Sequence, residues 1–168
     1  MKSRLAEIQA CEWLFLRSLA EPQENELRVV IEEARSGAPV DARAAAVAAS
    51  LPELESILQG ASLISHSEGC RVFEVSWPSY IAYSVRNESY VANDKYEQCE
   101  GRLIVKYSKS RFLDYVGLGT FATAEYPGPF THWGVICGNH IIDVVSTEEP
   151  EVRELPNGTS LKKHIASN

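Results

Sequence analysis

The stretch THWGVICGNHIIDVVS, residues 131–146, decides the fold. Two apolar runs flank Gly138-Asn139, a two-residue turn whose residues tolerate φ > 0, and this predicts a tight antiparallel hairpin. With Cys137 facing His140, the register puts Val135 opposite Ile142 and Trp133 opposite Val144 on one face. The other face then carries Ile136 with Ile141, Gly134 with Asp143, and His132 with Val145. Apolar side chains on both faces predict central strands covered on both sides.

Upstream of the hairpin the alternating pattern continues. Phe73, Val75 and Trp77 share a face in residues 70–77, and after Pro78 the run 79–87 aligns Ile81, Tyr83 and Val85. These two segments predict a hairpin or a bent pair of strands. Residues 101–110 predict a third strand, with Leu103, Val105 and Tyr107 alternating with Arg102, Ile104 and Lys106. Ser110 is suited to cap a short helix through Phe112, Leu113 and Val116. Gly117-Leu118-Gly119 lacks the longer fingerprint of a dinucleotide loop and reads as the end of that helix.

Before residue 61 the period is helical. Leu5, Ile8, Cys11, Phe15 and Leu19 fall on one stripe, which predicts an amphipathic helix over residues 3–20. Leu27–Ile31 is β-branched enough for a strand, with a helix as the alternative given the flanking glutamates. Asp41 and the Ser50-Leu51-Pro52-Glu53 capping pattern predict two short helices between residues 41 and 60, the second closed by Gly60. After Ser146 the composition turns polar, which predicts an irregular tail over 147–168. The expected fold is therefore α+β, with N-terminal helices packed on a mainly antiparallel sheet of about five to six strands. It is expected as one domain, with a helical part over 1–60 and a sheet part over 61–146.

Composition narrows the function classes. Apolar residues make up 45% and charged residues 23%, values that argue for a folded globular chain and against disorder. No apolar stretch approaches the ~20 residues needed to cross a bilayer, so no membrane span is expected. Glu7, Gln9, Glu12 and Arg17 interrupt the stretch where a signal peptide would need its apolar region, and a cytoplasmic location is expected. The four cysteines are scattered, with no C-x-x-C pair, and read as reduced thiols. A net charge of −7 argues against nucleic acid and favours a basic protein partner. No cofactor motif is present.

Three groups of residues carry chemistry. Cys137, His140 and Asp143 are the parts of a thiolate nucleophile with an oriented base, yet the predicted register points Asp143 away from the other two. His66, His132, His140 and His164 with Glu68 or Asp143 lack the spacing of a metal site, and none is expected. Asp143 lies in the apolar run HIIDVVS and requires a partner such as Arg86, His132 or a backbone amide. All seven tyrosines fall between residues 80 and 126. Tyrosine with tryptophan and arginine is the composition of binding hot spots, and Tyr80, Tyr83, Arg86, Tyr90, Tyr107, His132 and Trp133 form the expected binding set.

The profile is that of a small acidic protein-binding module, inhibitor-like or immunity-like in its general physics, with no motif that assigns it to a family. The alternative is a small-molecule hydrolase or transferase using the Cys137, His140 and Asp143 neighbourhood.

Overall fold

The computed structural model describes residues 4–37, 64–66, 69–92 and 94–156. Their strands form two antiparallel sheets rather than one. The first runs in the order β1 (Trp13–Ala20), β2 (Leu27–Ser36), β4 (Val72–Trp77) and β10 (Glu151–Leu155), with the short β3 (Ile64–Ser65) pairing the end of β2. The second runs in the order β5 (Ala82–Asn87), β9 (His140–Ser146), β8 (Thr131–Ile136), β7 (Ile104–Lys109) and β6 (Gln98–Gly101). Among the described residues two α-helices accompany them, α1 (Leu5–Gln9) and α2 (Arg111–Gly119). No helix among the described residues is long and apolar enough to cross a membrane.

One apolar core lies between the sheets. Val29, Ile31, Phe73, Val75 and Trp77 from the first sheet meet Trp133, Val135, Ile142 and Val144 from the second. The β8–β9 hairpin has the register its sequence predicts, from Thr131 opposite Ser146 to Ile136 opposite Ile141. Both strands are central. Their inner face packs into the core, and Phe112 of α2 comes edge-on to His132 on the outer face.

Several expectations are corrected. Residues 3–20 form one long helix only on paper: the helix stops at Gln9, and Trp13–Ala20 is a strand. Arg102 braces the junction, its guanidinium donating to the carbonyl of Gln9, the last helical residue, and to those of Cys11 and Glu12 just beyond it. Gln9 completes the junction, its side-chain oxygen accepting from the Arg102 and Leu103 amides at 3.1 and 2.9 Å and its amide nitrogen donating to the Ile104 carbonyl. Beyond it, the apolar run Trp13-Leu14-Phe15-Leu16 suits either period, and pairing with β2 selects the strand. The helices expected between 41 and 60 lie outside the described residues.

β4 and β5 do not form a hairpin. They belong to different sheets, β4 pairing with β2 and β10, and β5 with β9. The strand expected over 101–110 is β7, and β6, just before it, pairs with it as a hairpin. The supposed tail contains β10, which sets Val152 opposite Val75 and packs it on the core. Its two apolar residues, Val152 and Leu155, are too few to reveal a strand by alternation.

The hairpin tip also joins the sheets. The Gly138 amide donates to the Leu14 carbonyl at 2.8 Å. The Asn139 side chain both accepts from the Leu16 amide, at 2.9 Å, and donates to the Leu16 carbonyl, at 3.1 Å. These bonds meet β1 next to the irregularity in its pairing with β2, between Leu16 and Ser18.

Candidate functional site

The outer face of the second sheet holds a buried polar network built on Asp143, which is 1% exposed. Arg86, one strand over on β5, meets the carboxylate with two nitrogens: Nε donates to Oδ2 at 2.8 Å and Nη2 to Oδ1 at 3.0 Å. Ser84 adds a hydroxyl to Oδ2 at 3.2 Å, and His132 Nε2 lies 3.1 Å from Oδ1. Asp143 thus bonds to both Arg86 and His132, the two side chains its sequence context offered as candidate partners. Burial pushes its carboxyl up, but the hydrogen bonds from His132 and Arg86 outweigh that, and it is held below the ordinary aspartate value.

The chain of bonds extends to α2. Ser110 Oγ caps the helix by accepting from the Leu113 amide at 3.0 Å, and it lies 2.7 Å from His132 Nδ1. The Ser110 hydroxyl thus links the first turn of α2 to the imidazole, whose other nitrogen meets Asp143. Tyr107 stacks on the imidazole at 4.2 Å, and Phe112 meets it edge-on at 5.3 Å. Gly134 makes room for that stack, since a Cβ there would lie 2.7 Å from Val105 Cγ2 and 3.0 Å from Tyr107 Cε2. Burial, with the charges of Asp143 and Glu97, pushes the Tyr107 phenol up to about 12.

Hydroxyl, imidazole and carboxylate stand in the bonding order of an acyl-transfer relay. Ser110 and His132 are both buried, however, and the Ser110 hydroxyl is engaged at the helix cap. The arrangement holds α2 and β5 against the hairpin.

The other candidate residues are dispersed by the fold. Cys137 and His140 stand side by side at the turn, the Cys137 amide donating to the His140 carbonyl at 2.9 Å. Cys137 packs in the inner core, whereas Asp143 is on the outer face, so the three are not brought together. Burial alone pushes the Cys137 thiol up to about 12. Alkylation of the native protein with iodoacetamide at neutral pH is therefore expected to modify the exposed Cys99 and to spare Cys137 until denaturant is added, as peptide mass mapping would show. His132 and His140 lie on opposite faces of the hairpin, His66 Nδ1 sits 2.9 Å from the Glu33 carbonyl oxygen, and Glu68 and His164 lie outside the described residues.

Of the expected binding set, Trp133 is in the core and Tyr107 covers His132. Tyr80 and Tyr83 form an edge-on pair at 5.1 Å against the core, with the Tyr83 hydroxyl donating to Glu21 at 2.7 Å. Arg86 and Tyr90 reach the surface, Tyr90 being 86% exposed.

They border a cleft between α2 and the segment that follows β5. Two depressions adjoin there, of about 440 and 200 Å³, sharing Arg86, Glu97 and Arg111. Tyr90, Val91 and Asp94 line the larger; Ser84, Phe112, Tyr115 and Asp143 line the smaller. Arg111 is tied to Asp94 at 3.0 Å, and its guanidinium lies 4.0 Å from the centre of the Tyr96 ring.

Beyond the cleft the surface turns apolar. Most of the exposed large apolar side chains of the described residues fall between Val85 and Tyr126, among them Leu118 at 90% and Phe121 at 83% exposure. Phe121 stacks with Tyr126 at 6.0 Å. Tyr115 and Leu118, three residues apart, share the solvent face of α2 while Val116 is buried beneath. Sequence reasoning that looked for tyrosine on the sheet missed this surface. Its signal is present nonetheless, because no lysine or arginine occurs between Arg111 and Arg153. Comparison with protein-family models, with curated proteins and with solved structures finds no match to this chain.

Proposed function

We propose that the protein is a non-enzymatic binding module that engages a basic protein through the exposed face of α2 and the loop after it. One observation carries the reading: Tyr115, Leu118, Phe121 and Tyr126 stand exposed in a stretch whose surface charges, Asp114 and Glu125, are both negative. Exposed aromatic and aliphatic side chains of this size are costly to leave in water and are the material of interface hot spots. An acidic rim and a net charge of −7 would steer a cationic partner toward them. Cys11, Cys99 and Cys137 are free thiols, which fits a reducing compartment such as the cytoplasm.

The test is affinity capture from a lysate of the source organism, with the wild-type chain and the Leu118→Ala/Phe121→Ala variant compared at low and high salt. Both substituted side chains are exposed, so the variant should keep the wild-type circular dichroism. The expected result is a basic protein retained by the wild type, weakened by salt, and bound about 30-fold less tightly by the variant. Equal retention by the two chains, or no basic protein retained by the wild type, overturns the reading.

A further inference from the structure

The cleft beside this face has its own chemistry. Its ionic groups are the cations Arg86 and Arg111 and the carboxylates Asp94, Glu97 and Asp143. Arg86 is committed to Asp143 through two nitrogens, and Arg111 to Asp94. Glu97 is left over. This half-buried carboxylate accepts from the Arg111 amide at 3.3 Å and has no ion pair within 4.0 Å among the described residues. It lines both depressions, with Tyr90 in one and Tyr115 and Phe112 in the other.

A carboxylate without a counter-charge, flanked by aromatic rings in a concave site, is suited to a cation. Arginine fits better than lysine, because a planar guanidinium can stack on a tyrosine ring while its edge donates to the carboxylate. The protein already builds this combination within itself, where the Arg111 guanidinium lies over Tyr96 and donates to Asp94. An anion would meet two arginines already in ion pairs and one uncompensated negative charge.

We infer that the cleft is the receptor for one arginine side chain of the partner, with Glu97 as the anchoring carboxylate and Tyr90 and Tyr115 as its aromatic walls. The inference rests on the protein-binding reading and names the residue type by which the partner is recognised.

The probe is N-acetyl-arginine methylamide, titrated into the isotope-labelled full chain and followed by the backbone amide resonances of Tyr90, Glu97 and Arg111. Saturable shifts of these amides are expected, with affinity lowered about tenfold by Glu97→Gln, which keeps the acceptor for the Arg111 amide but removes the charge. Glu151→Gln, an exposed change on β10, is expected to leave the response intact. The inference is overturned if the arginine probe shifts none of these amides, or shifts them equally in Glu97→Gln. It is also overturned if the corresponding lysine compound binds as well, or if N-acetylglycine, an anion, produces the shifts instead. Failure here with salt-sensitive capture intact removes the cleft from the interface and leaves the binding module standing. The arginine response without capture does the reverse.

Discussion

Arg86→Ala is expected to destabilise the fold by about 3–5 kcal/mol, because it leaves the Asp143 carboxylate buried without its counter-charge. The expectation rests on asymmetry. Asp143 has four hydrogen bonds and almost no exposure, whereas the Arg86 side chain is about two-fifths exposed and can turn to water when its partner is lost. Asp143→Ala should therefore cost less, about 1.5–3 kcal/mol, since it removes the buried charge itself and the Arg86 guanidinium can turn to solvent. Urea denaturation of both variants and of the double variant, followed by circular dichroism, measures the pair. A loss below about 1 kcal/mol in Arg86→Ala would mean that the carboxylate is hydrated, contrary to the structure.

The same carboxylate sets an acid limit. Its folded pKa lies below the ordinary value, so its contribution is fully present above the unfolded aspartate pKa of about 3.9. That contribution is lost as pH falls from there through the folded value. Glu33 has the same sign, its carboxyl held down by hydrogen bonds from Arg71 and Arg35 that outweigh its burial. Wild-type stability should thus fall below about pH 4, and the fall should be shallower in Asp143→Ala, which lacks one of the groups being protonated.

The second large effect is expected at Trp77, which is fully buried where the sheets meet and lies opposite Leu27 in the β2–β4 pairing. Trp77→Ala removes the largest side chain among those fully buried, and should cost about 3–5 kcal/mol through lost apolar burial and the cavity left behind. Trp77→Phe separates volume from polarity. Trp77 Nε1 has no hydrogen-bond partner among the described residues, so phenylalanine discards a buried donor that is already unsatisfied. Its cost should be about 1–2 kcal/mol, read from urea midpoints at constant m-value. Equal losses in the two variants would show that the indole nitrogen has a partner after all.

Some of this architecture was legible in the residues and some was not. The β8–β9 register could be read pair by pair, because Gly138-Asn139 fixes the turn and Cys137 opposite His140 then places every side chain on a face. The need for a partner at Asp143 was legible, because a carboxylate among Ile141, Ile142, Val144 and Val145 requires a donor, but the β5–β9 pairing that brings Arg86 alongside was not. The division into two sheets was not legible. Phe73, Val75 and Trp77 alternate just as Ile81, Tyr83 and Val85 do, and alternation says which face is buried but not which strand lies alongside. The N-terminal strand was not legible because Trp13–Leu16 suits either period, and pairing with β2 selects the strand. The apolar surface of α2 was overlooked because the helical pattern was read for its buried stripe, and Tyr115 and Leu118 lie off it.

The hairpin tip has a consequence for how this molecule behaves among copies of itself. Among the described residues β1 is an outer strand, and a strand with one side unpaired offers amides and carbonyls to any extended chain it meets. On that side, the Leu14 carbonyl and both backbone groups of Leu16 are already taken by Gly138 and Asn139. A neighbouring chain that tried to extend the sheet there would have to displace the turn first. Asn139 thus protects the apolar segment Trp13–Leu16 from templated assembly, and a residue with a different side chain could close the hairpin without giving that protection.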